Sequence, residues 1–429
     1  MTMQEITTAI VFWRLGPYHH ARMNAAGKLN KTIGLEACGI EDTYAWDTVS
    51  GSQEFDRITL TRKYSPTRAW RRELQQQMFQ ELDRISPDVL VIPGWVMPDA
   101  ISGLYWAIKK NIPVVCMSES TRWDAERSPI KEWVKRRIIS LFSAALVGGT
   151  PHRDYMLNLG MPADRIFLGY DAVDNGFFSE GVRKIVEGRE SRVKRTAVQD
   201  EAREIGSRRL EVGEKKKPYF LASARFIEKK NLPRLLRAYA HYRGKSLPST
   251  LDVRPSTAQS TWDLVIIGDG ELRSDLEKLR SELGLEDCVQ MPGFKQYEQL
   301  PSYYANAGAF IHASTTEPWG LVINEAMASG LPVLVSNRCG CATDLVQEGE
   351  NGWTFDPFNE EQIADLMLRI SSHEDGRLKM GVRSRDIIAI WGLDRFASGL
   401  TGAVQAALSE PRKGAGFLNR LLLSVLIRR

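Results

Sequence analysis

The sequence predicts an α/β protein made of two doubly wound, parallel-sheet domains, and three observations predict it. Short apolar runs bounded by small residues alternate with helical patterns along the whole chain. The alternation comes in two series, separated by a highly charged stretch at 181–217. At 429 residues the chain is too long for one ordinary core and suits two of roughly 200 residues each. The first series contains TAIVFWRLG (8–16), PDVLVIPG (87–94), IPVVCMSES (112–120) and SAALVGG (143–149). The second contains KPYFLASAR (217–225), WDLVIIGDG (262–270), CVQMPGF (288–294), AGAFIHAS (307–314) and LPVLVSNR (331–338). Expected boundaries are 1–180 for the first domain, 181–217 for an exposed charged connection or extension, 218–390 for the second domain and 391–429 for C-terminal helices. The stretch 246–261, SLPSTLDVRPSTAQST, reads as a loop insertion inside the second domain.

Composition narrows the class. Hydrophobic residues at 43% and charged residues at 26% are ordinary globular values. A net charge of +4 is too mild to argue for nucleic acid and suits an anionic ligand or an acidic membrane face. Five scattered cysteines without a Cys-x-x-Cys pair argue for a reducing compartment and against a zinc site. The first residues lack a basic stretch followed by a long apolar run, so no signal peptide is expected. No segment of the sequence reads as the ~20 apolar residues that span a bilayer. A soluble cytoplasmic protein is the expectation.

The chemistry concentrates in STTEPWGLVINEAMASG (314–330), a strand-to-helix junction, which is where α/β sheets place ligands. A helix opening near Trp319 or Gly320 presents unpaired amides and a positive dipole end. Gly320 lets a ligand approach, so the amides of Gly320, Leu321 and Val322 suit a diphosphate. Glu317 and Glu325 lie on either side, about 12 Å apart if helical throughout. Carboxylates at such a spacing suit the sugar hydroxyls flanking a pyrophosphate; the alternative is a pair that merely caps and solubilises a surface helix. In ASARFIEKKNLPRLLRAY, Arg225 follows a strand and Lys230 comes five residues later, two cations able to neutralise the same phosphates. Gly268-Asp269-Gly270 lacks the third glycine of a dinucleotide fingerprint and reads as a tight turn. Phe294 offers either a base-stacking edge or a core residue.

Four blocks, RFIEKKN, IIGDGELR, PGFKQYEQLPSYYANA and STTEPWGLVINEAMASGLPVLVSN, occur in order between about 218 and 360. Together they resemble the donor-binding half of family 4 retaining glycosyltransferases (glycosyl transferases group 1), which have a GT-B fold of two Rossmann-like domains facing a central cleft. The resemblance implies transfer of a sugar from a nucleoside-diphosphate sugar, UDP- or GDP-linked, with retention at the anomeric carbon, no metal and no cofactor. It implies Arg225 and Lys230 on the diphosphate, Glu317 on the donor sugar near the reacting carbon, amides from Gly320, Leu321 and Val322, and Glu325 on the ribose. It also implies amide contacts from the glycine turn at Gly16. His19 and His20 follow that turn and are candidates for the acceptor or sugar side. Where many relatives have a histidine, this chain has Ser118-Glu119-Ser120, so Glu119 or His20 stands as the substitute. The segment 168–178, LGYDAVDNGFF, resembles a bacterial subset acting in surface or exopolysaccharide assembly.

FLNRLLLSVLIRR at 417–429 places Phe417, Leu418, Leu421, Leu422, Val425 and Leu426 on one helical face, with Asn419, Arg420, Ser424 and Arg428 elsewhere. Such a helix is too short to span and suited to lie on an anionic leaflet or, alternatively, to dock on the protein's own core. KEWVKRRIISLF (131–142) offers a second basic and aromatic surface. The expected partners are therefore a nucleotide-sugar donor, a glycan or lipid-linked acceptor and the inner face of the plasma membrane, with no nucleic acid. The competing functions are a non-catalytic nucleotide-sugar-binding partner of a polysaccharide assembly system, an NAD-linked oxidoreductase, and a phosphorylase for which no pyridoxal lysine is evident.

Overall fold

A computed structural model describes residues 6–40, 46–47, 49, 54–201, 217–246, 261–409 and 416–427. The chain divides into two compact units, 1–174 with 390–429, and 175–389. Both are built on parallel sheets. The first carries β1 (Thr7–Phe12), β2 (Lys31–Ile40), β3 (Asp56–Lys63), β4 (Val89–Pro93), β5 (Val114–Ser118), β6 (Ala144–Val147) and β7 (Ile166–Leu168). The second carries β8 (Tyr219–Ser223), β9 (Asp263–Ile267), β10 (Val289–Gln290), β11 (Ala307–His312), β12 (Val333–Ser336) and β13 (Gly352–Phe355). The sheet orders are β3-β2-β1-β4-β5-β6-β7 and β10-β9-β8-β11-β12-β13. In each, the chain starts in the middle, winds outward one way and then crosses to wind the other, so each has a switch point between its first and fourth strands. The two expected doubly wound domains are present.

The apolar runs became strands because both sheet faces are covered. In the first sheet, Ala9, Val11, Leu90 and Ile92 face one core with Leu74, Met78 and Leu104, while Ile10, Val91, Val115 and Leu146 face another. The second of these cores is completed by a helix from near the chain's end, Leu393–Ser409, whose Phe396, Leu400, Ala403 and Val404 are buried on the sheet. Each of the larger of these side chains contributes about 2 kcal/mol of burial. Gly399 and Gly402 allow the close approach: a Cβ at Gly399 would meet the Leu168 carbonyl oxygen at 2.4 Å, and one at Gly402 the Phe167 ring at 2.7 Å. Within 374–409 an 18-residue window with mean hydropathy 1.2 is long and apolar enough to cross a membrane by length and composition, although no such span was expected. Its apolar side chains are instead divided between the two cores, Ile387 and Ile388 in the second unit and Phe396 to Ala407 in the first.

Two strands of the first sheet escaped the apolar pattern. β2 carries Glu36 in its interior, and β3 alternates Ile58 and Leu60 with Thr59 and Thr61 between charged ends. Glu36 is buried because it accepts bonds from the Leu15 amide (3.1 Å) and from Arg57 Nε (3.0 Å) and Nη2 (2.8 Å). A buried carboxylate so paired supports a strand that hydropathy alone reads as loop.

The expected charged connection begins as helix, Asn175–Glu201; residues 202–216 and the insertion at 247–260 lie outside the described residues. The C-terminal helix Phe417–Leu426 does not present its apolar face as one surface. Leu423 is buried, and Leu422 and Leu426 pack against the first unit's core, whereas Leu418, Leu421 and Val425 are about half exposed. Arg428, Arg429 and the Phe417 side chain lie outside the described residues.

Candidate active site

The second unit collects polar chemistry at the carboxyl ends of β8 and β11, its switch point. β11 ends in His312, followed by Ala313, Ser314 and the turn through Glu317 to Gly320, where the helix Leu321–Ala328 begins. Gly320 has φ +105°, and a Cβ there would meet Ile323 Cδ1 at 2.9 Å and Glu317 Cγ at 3.5 Å. Only glycine fits this backbone, and the Glu317 stem packs against it. The turn is anchored to the loop after β12. The Glu317 amide donates to the Arg338 carbonyl (3.2 Å), while the Glu317 carbonyl accepts from the Gly340 amide (3.0 Å). Trp319 is buried below, its indole N–H donating to Asn324 Oδ1 at 2.9 Å.

Lys230 reaches this turn from the loop after β8. The Thr315 amide donates to the Lys229 carbonyl at 2.9 Å, joining the two loops. Asn231, buried with φ +57°, donates to the carbonyls of Ala313 (3.0 Å) and Pro357 (2.7 Å), which ties the loops after β8, β11 and β13 together. The Lys230 ammonium accordingly donates to Glu317 Oε2 in a direct ion pair, with only 12% and 11% of the two side chains exposed.

Two residues absent from the expected site complete it. His312 Nε2 lies 3.2 Å from Glu317 Oε2, and the Ser314 hydroxyl lies 3.2 Å from the same oxygen and 2.9 Å from His312 Nε2. With Nε2 protonated, the ring and the serine hydroxyl both donate to the carboxylate. Burial alone would raise Glu317, but the His312 hydrogen bond and the Lys230 charge outweigh it and hold the carboxyl well below the usual carboxylate range. Burial lowers His312 further than Glu317 raises it, so the ring is neutral at pH 7. The signal was present in FIHAS: residues 312 and 314 share one side of an extended segment, two positions apart and just before the glutamate.

The remaining expected residues fall as follows. Arg225 is half-buried two positions past β8, in the loop that carries Lys230. Leu321 and Val322 form the first turn of the helix, half-buried. Phe294 is 37% exposed after Gly293 and is not a core residue. Glu325 is fully buried on the inner face of its helix, with Oε2 accepting from the Tyr304 hydroxyl at 2.7 Å; a ribose contact there requires the carboxylate to turn out of that bond. Gly268 and Gly270 form a tight structural turn, since a Cβ at Gly268 would meet the Ala224 carbonyl oxygen at 1.8 Å.

In the first unit, Gly16 caps the helix Pro17–Gly27 with φ −81°, and a Cβ there would meet nothing nearer than Trp46 at 3.8 Å. No internal packing demands glycine at this position. His19 lies against Phe12, ring centroids 4.6 Å apart, and burial followed by the Arg22 charge lowers it to about 3. His20 is buried edge-on against Phe55 and is also lowered by burial. Glu119 is half-buried just beyond β5.

Residues 207–386, somewhat less than half the chain, match the family model described as Glycosyl transferases group 1. Among curated proteins, the amylovoran biosynthesis glycosyltransferase AmsK of Erwinia amylovora is 33% identical over 26% of this chain and 29% of its own. The alpha-D-kanosaminyltransferase of Streptomyces kanamyceticus is 26% identical over 63% of this chain and 64% of its own. The chain thus spans less than two thirds of the length of these relatives. Among solved structures, Anabaena HepE in complex with UDP superposes with TM-score 0.65 at 15% identity, over 93% of this chain and 98% of its own. The architecture is that of GT-B glycosyltransferases, two parallel-sheet Rossmann-like domains.

Proposed function

We propose that this chain is a retaining glycosyltransferase of family 4 that moves a sugar from a UDP- or GDP-linked donor to a glycan or lipid-linked acceptor, in cell-surface polysaccharide or glycolipid synthesis. The observation that carries this reading is the ionised, nearly buried Glu317 paired with Lys230 beside a helix N-terminus at the second sheet's switch point. The relatives' names support sugar transfer, and the UDP bound to HepE supports a nucleotide-sugar donor.

The donor is a substrate, and the residues divide its charge between them. Lys230 and Arg225 take the diphosphate oxygens, with the amides of Gly320, Leu321 and Val322 completing the cradle. As Lys230 turns toward phosphate, Glu317 stays ionised through His312 and Ser314 and accepts hydrogen bonds from the sugar hydroxyls. The bond from the anomeric carbon to the diphosphate oxygen breaks as negative charge grows on the leaving oxygen, which the two cations stabilise. The acceptor oxygen bonds to the same face of that carbon, and its proton passes to the departing diphosphate. Catalysis of this kind rests on positioning and charge stabilisation, without metal or cofactor.

We place the protein in the cytoplasm, held peripherally on the inner membrane face. Leu418, Leu421 and Val425 are exposed beside Arg420, and on the helix Pro129–Ile139 Ile130 and Trp133 are exposed beside Lys131. Asn419 donates to Ser140 Oγ at 3.0 Å, so the C-terminal helix meets the far end of that second helix. This arrangement supports contact with an anionic leaflet.

The test is a thermal-shift screen of the full chain against UDP-, GDP- and ADP-sugars, followed by assay of sugar release from any donor that binds. One donor should raise the melting point, by about 2.7 kcal/mol of added stability at a hundredfold excess over Kd. Stabilisation by none, with no sugar released, overturns the reading. Binding without release or transfer to any acceptor selects the non-catalytic partner instead, a reading favoured by Ser118-Glu119-Ser120 standing where a histidine was expected.

A further inference from the structure

Beside the Lys230–Glu317 pair, and outside it, two arginines converge on one exposed ring. The Arg234 guanidinium carbon lies 4.9 Å from the centroid of Phe358, and that of Arg338 lies 5.2 Å from it. Phe358 is 48% exposed, in the loop after β13; Arg338 is exposed after β12, and its carbonyl is the one that holds the Glu317 amide. Arg234 sits in the first turn of the helix Leu232–Ser246, shortly after Lys229 and Lys230. Cations at a helix N-terminus oppose the dipole, so this placement is unfavourable for the chain alone. Neither arginine pairs with a carboxylate among the described residues; Arg234 donates only to the neutral Asn231 Oδ1, at 3.0 Å, and Asp356 Oδ1 is engaged by the Phe358 amide. The platform is pre-positioned, because Asn231 ties the backbone before Phe358 to the loops of Lys230 and Glu317.

We infer that Arg234, Phe358 and Arg338 form a subsite for an anionic group, phosphate or carboxylate, carried by the sugar acceptor. Guanidinium forks match the oxygens of either group, and the Phe358 ring holds the two forks beside each other. Two unneutralised cations brought to one exposed ring gain a counter-charge only when such an anion arrives. The proposal rests on the sugar-transfer reading for the identity of the bound molecule, though not for the binding itself. It specifies an acidic acceptor, so a neutral glycan should be a poor one.

The experiment is calorimetric titration of glucose 6-phosphate, glucuronate and glucose into the full chain saturated with UDP, so that the diphosphate cradle is already filled. At least one of the two charged sugars should bind at least tenfold more tightly than glucose, and whichever prevails identifies the group. The double variant Arg234→Gln/Arg338→Gln should lose at least tenfold of that affinity, and Phe358→Ala a few-fold, with the affinity for UDP within about twofold of wild type. Charged sugars binding no better than glucose, or binding the double variant as they bind wild type, overturn the subsite. UDP itself failing to bind overturns the donor reading alone, and the sugar titration is then read on the chain without nucleotide.

Discussion

Asp99 and Glu317 occupy matching places, each a buried carboxylate just past the fourth strand of its sheet, and their electrostatics run in opposite directions. Asp99 lies in the first turn of the helix Pro98–Lys110, fully buried, and neither of its oxygens has a hydrogen-bond partner of ordinary geometry. Burial pushes it up to about 6, and the backbone amides at the helix start recover only part of the cost. Glu317 is nearly as buried, yet Lys230, His312 and Ser314 keep it ionised. The winding of the chain supplies both positions; partners from neighbouring loops decide which becomes a charged site. The first six strands of the first unit have the same order without those partners, and the second unit concentrates them at the carboxyl ends of its two central strands.

The largest expected effect comes from removing the second unit's charge. Glu317→Gln keeps the volume and the serine contact but leaves Lys230 without its counter-ion and the sugar without an ionic acceptor. Transfer should fall by about 10²–10³-fold, a typical cost of losing one preorganised electrostatic contact. Glu317→Asp, which restores charge on a shorter stem, should recover part of it. Unchanged circular dichroism with full turnover by Glu317→Gln would remove Glu317 from the mechanism and level the difference between the two carboxylates.

The smaller effect lies in stability and has the opposite sign. Asp99 has a folded pKa of about 6 against 3.8 for the free group, so folding favours its protonated form. The penalty is complete above pH 6, shrinks as pH falls toward 4 and vanishes below that. Asp99→Asn should therefore stabilise the first unit by about 3 kcal/mol at pH 8, visible as a melting point raised by about 6–12 °C, and by nothing at pH 4. A variant no more stable than wild type at pH 8 would mean that Asp99 is satisfied in solution and the contrast with Glu317 is false.

That contrast also marks where the sequence was legible. Glu317, Lys230 and Gly320 were readable because a strand, a turn and a helix start are local, and a glycine flanked by charge at such a junction suits an anion far better than it suits a core. His312 and Ser314 sit only five and three positions before Glu317, and FIHAS carried their signal unread; Asn231 was not readable, since its role comes from bonds to residues 82 and 126 positions away. The two doubly wound sheets followed from apolar runs, but β2 and β3 did not, because Glu36 and Arg57 neutralise each other only once the strands are paired. The return of the Leu393–Ser409 helix to the first sheet was likewise invisible locally, its two glycines making sense only against Leu168 and Phe167.

If the second unit holds the charge chemistry, the first should differ from it in surface as well as in core, and the smallest expected effect tests that. On the C-terminal helix, Leu423 is 3% exposed and Leu418, Leu421 and Val425 are 49–55% exposed, so the packing and the free apolar stripe belong to different residues. Deleting the helix would confound the two by uncovering the core beneath Leu422 and Leu426. Leu418→Ser/Leu421→Ser/Val425→Ser removes the stripe alone, and near-ultraviolet dichroism should be unchanged. An interfacial leucine gives up less than the roughly 1.5–3 kcal/mol of full burial, so the fraction sedimenting with vesicles rich in phosphatidylglycerol should fall roughly three- to tenfold, with the residual binding lost in high salt. Donor affinity, which this reading assigns to the other unit, should not move. Equal sedimentation of wild type and triple variant would leave the first unit's surface without a membrane role and would confine the difference between the units to Glu317 and Asp99.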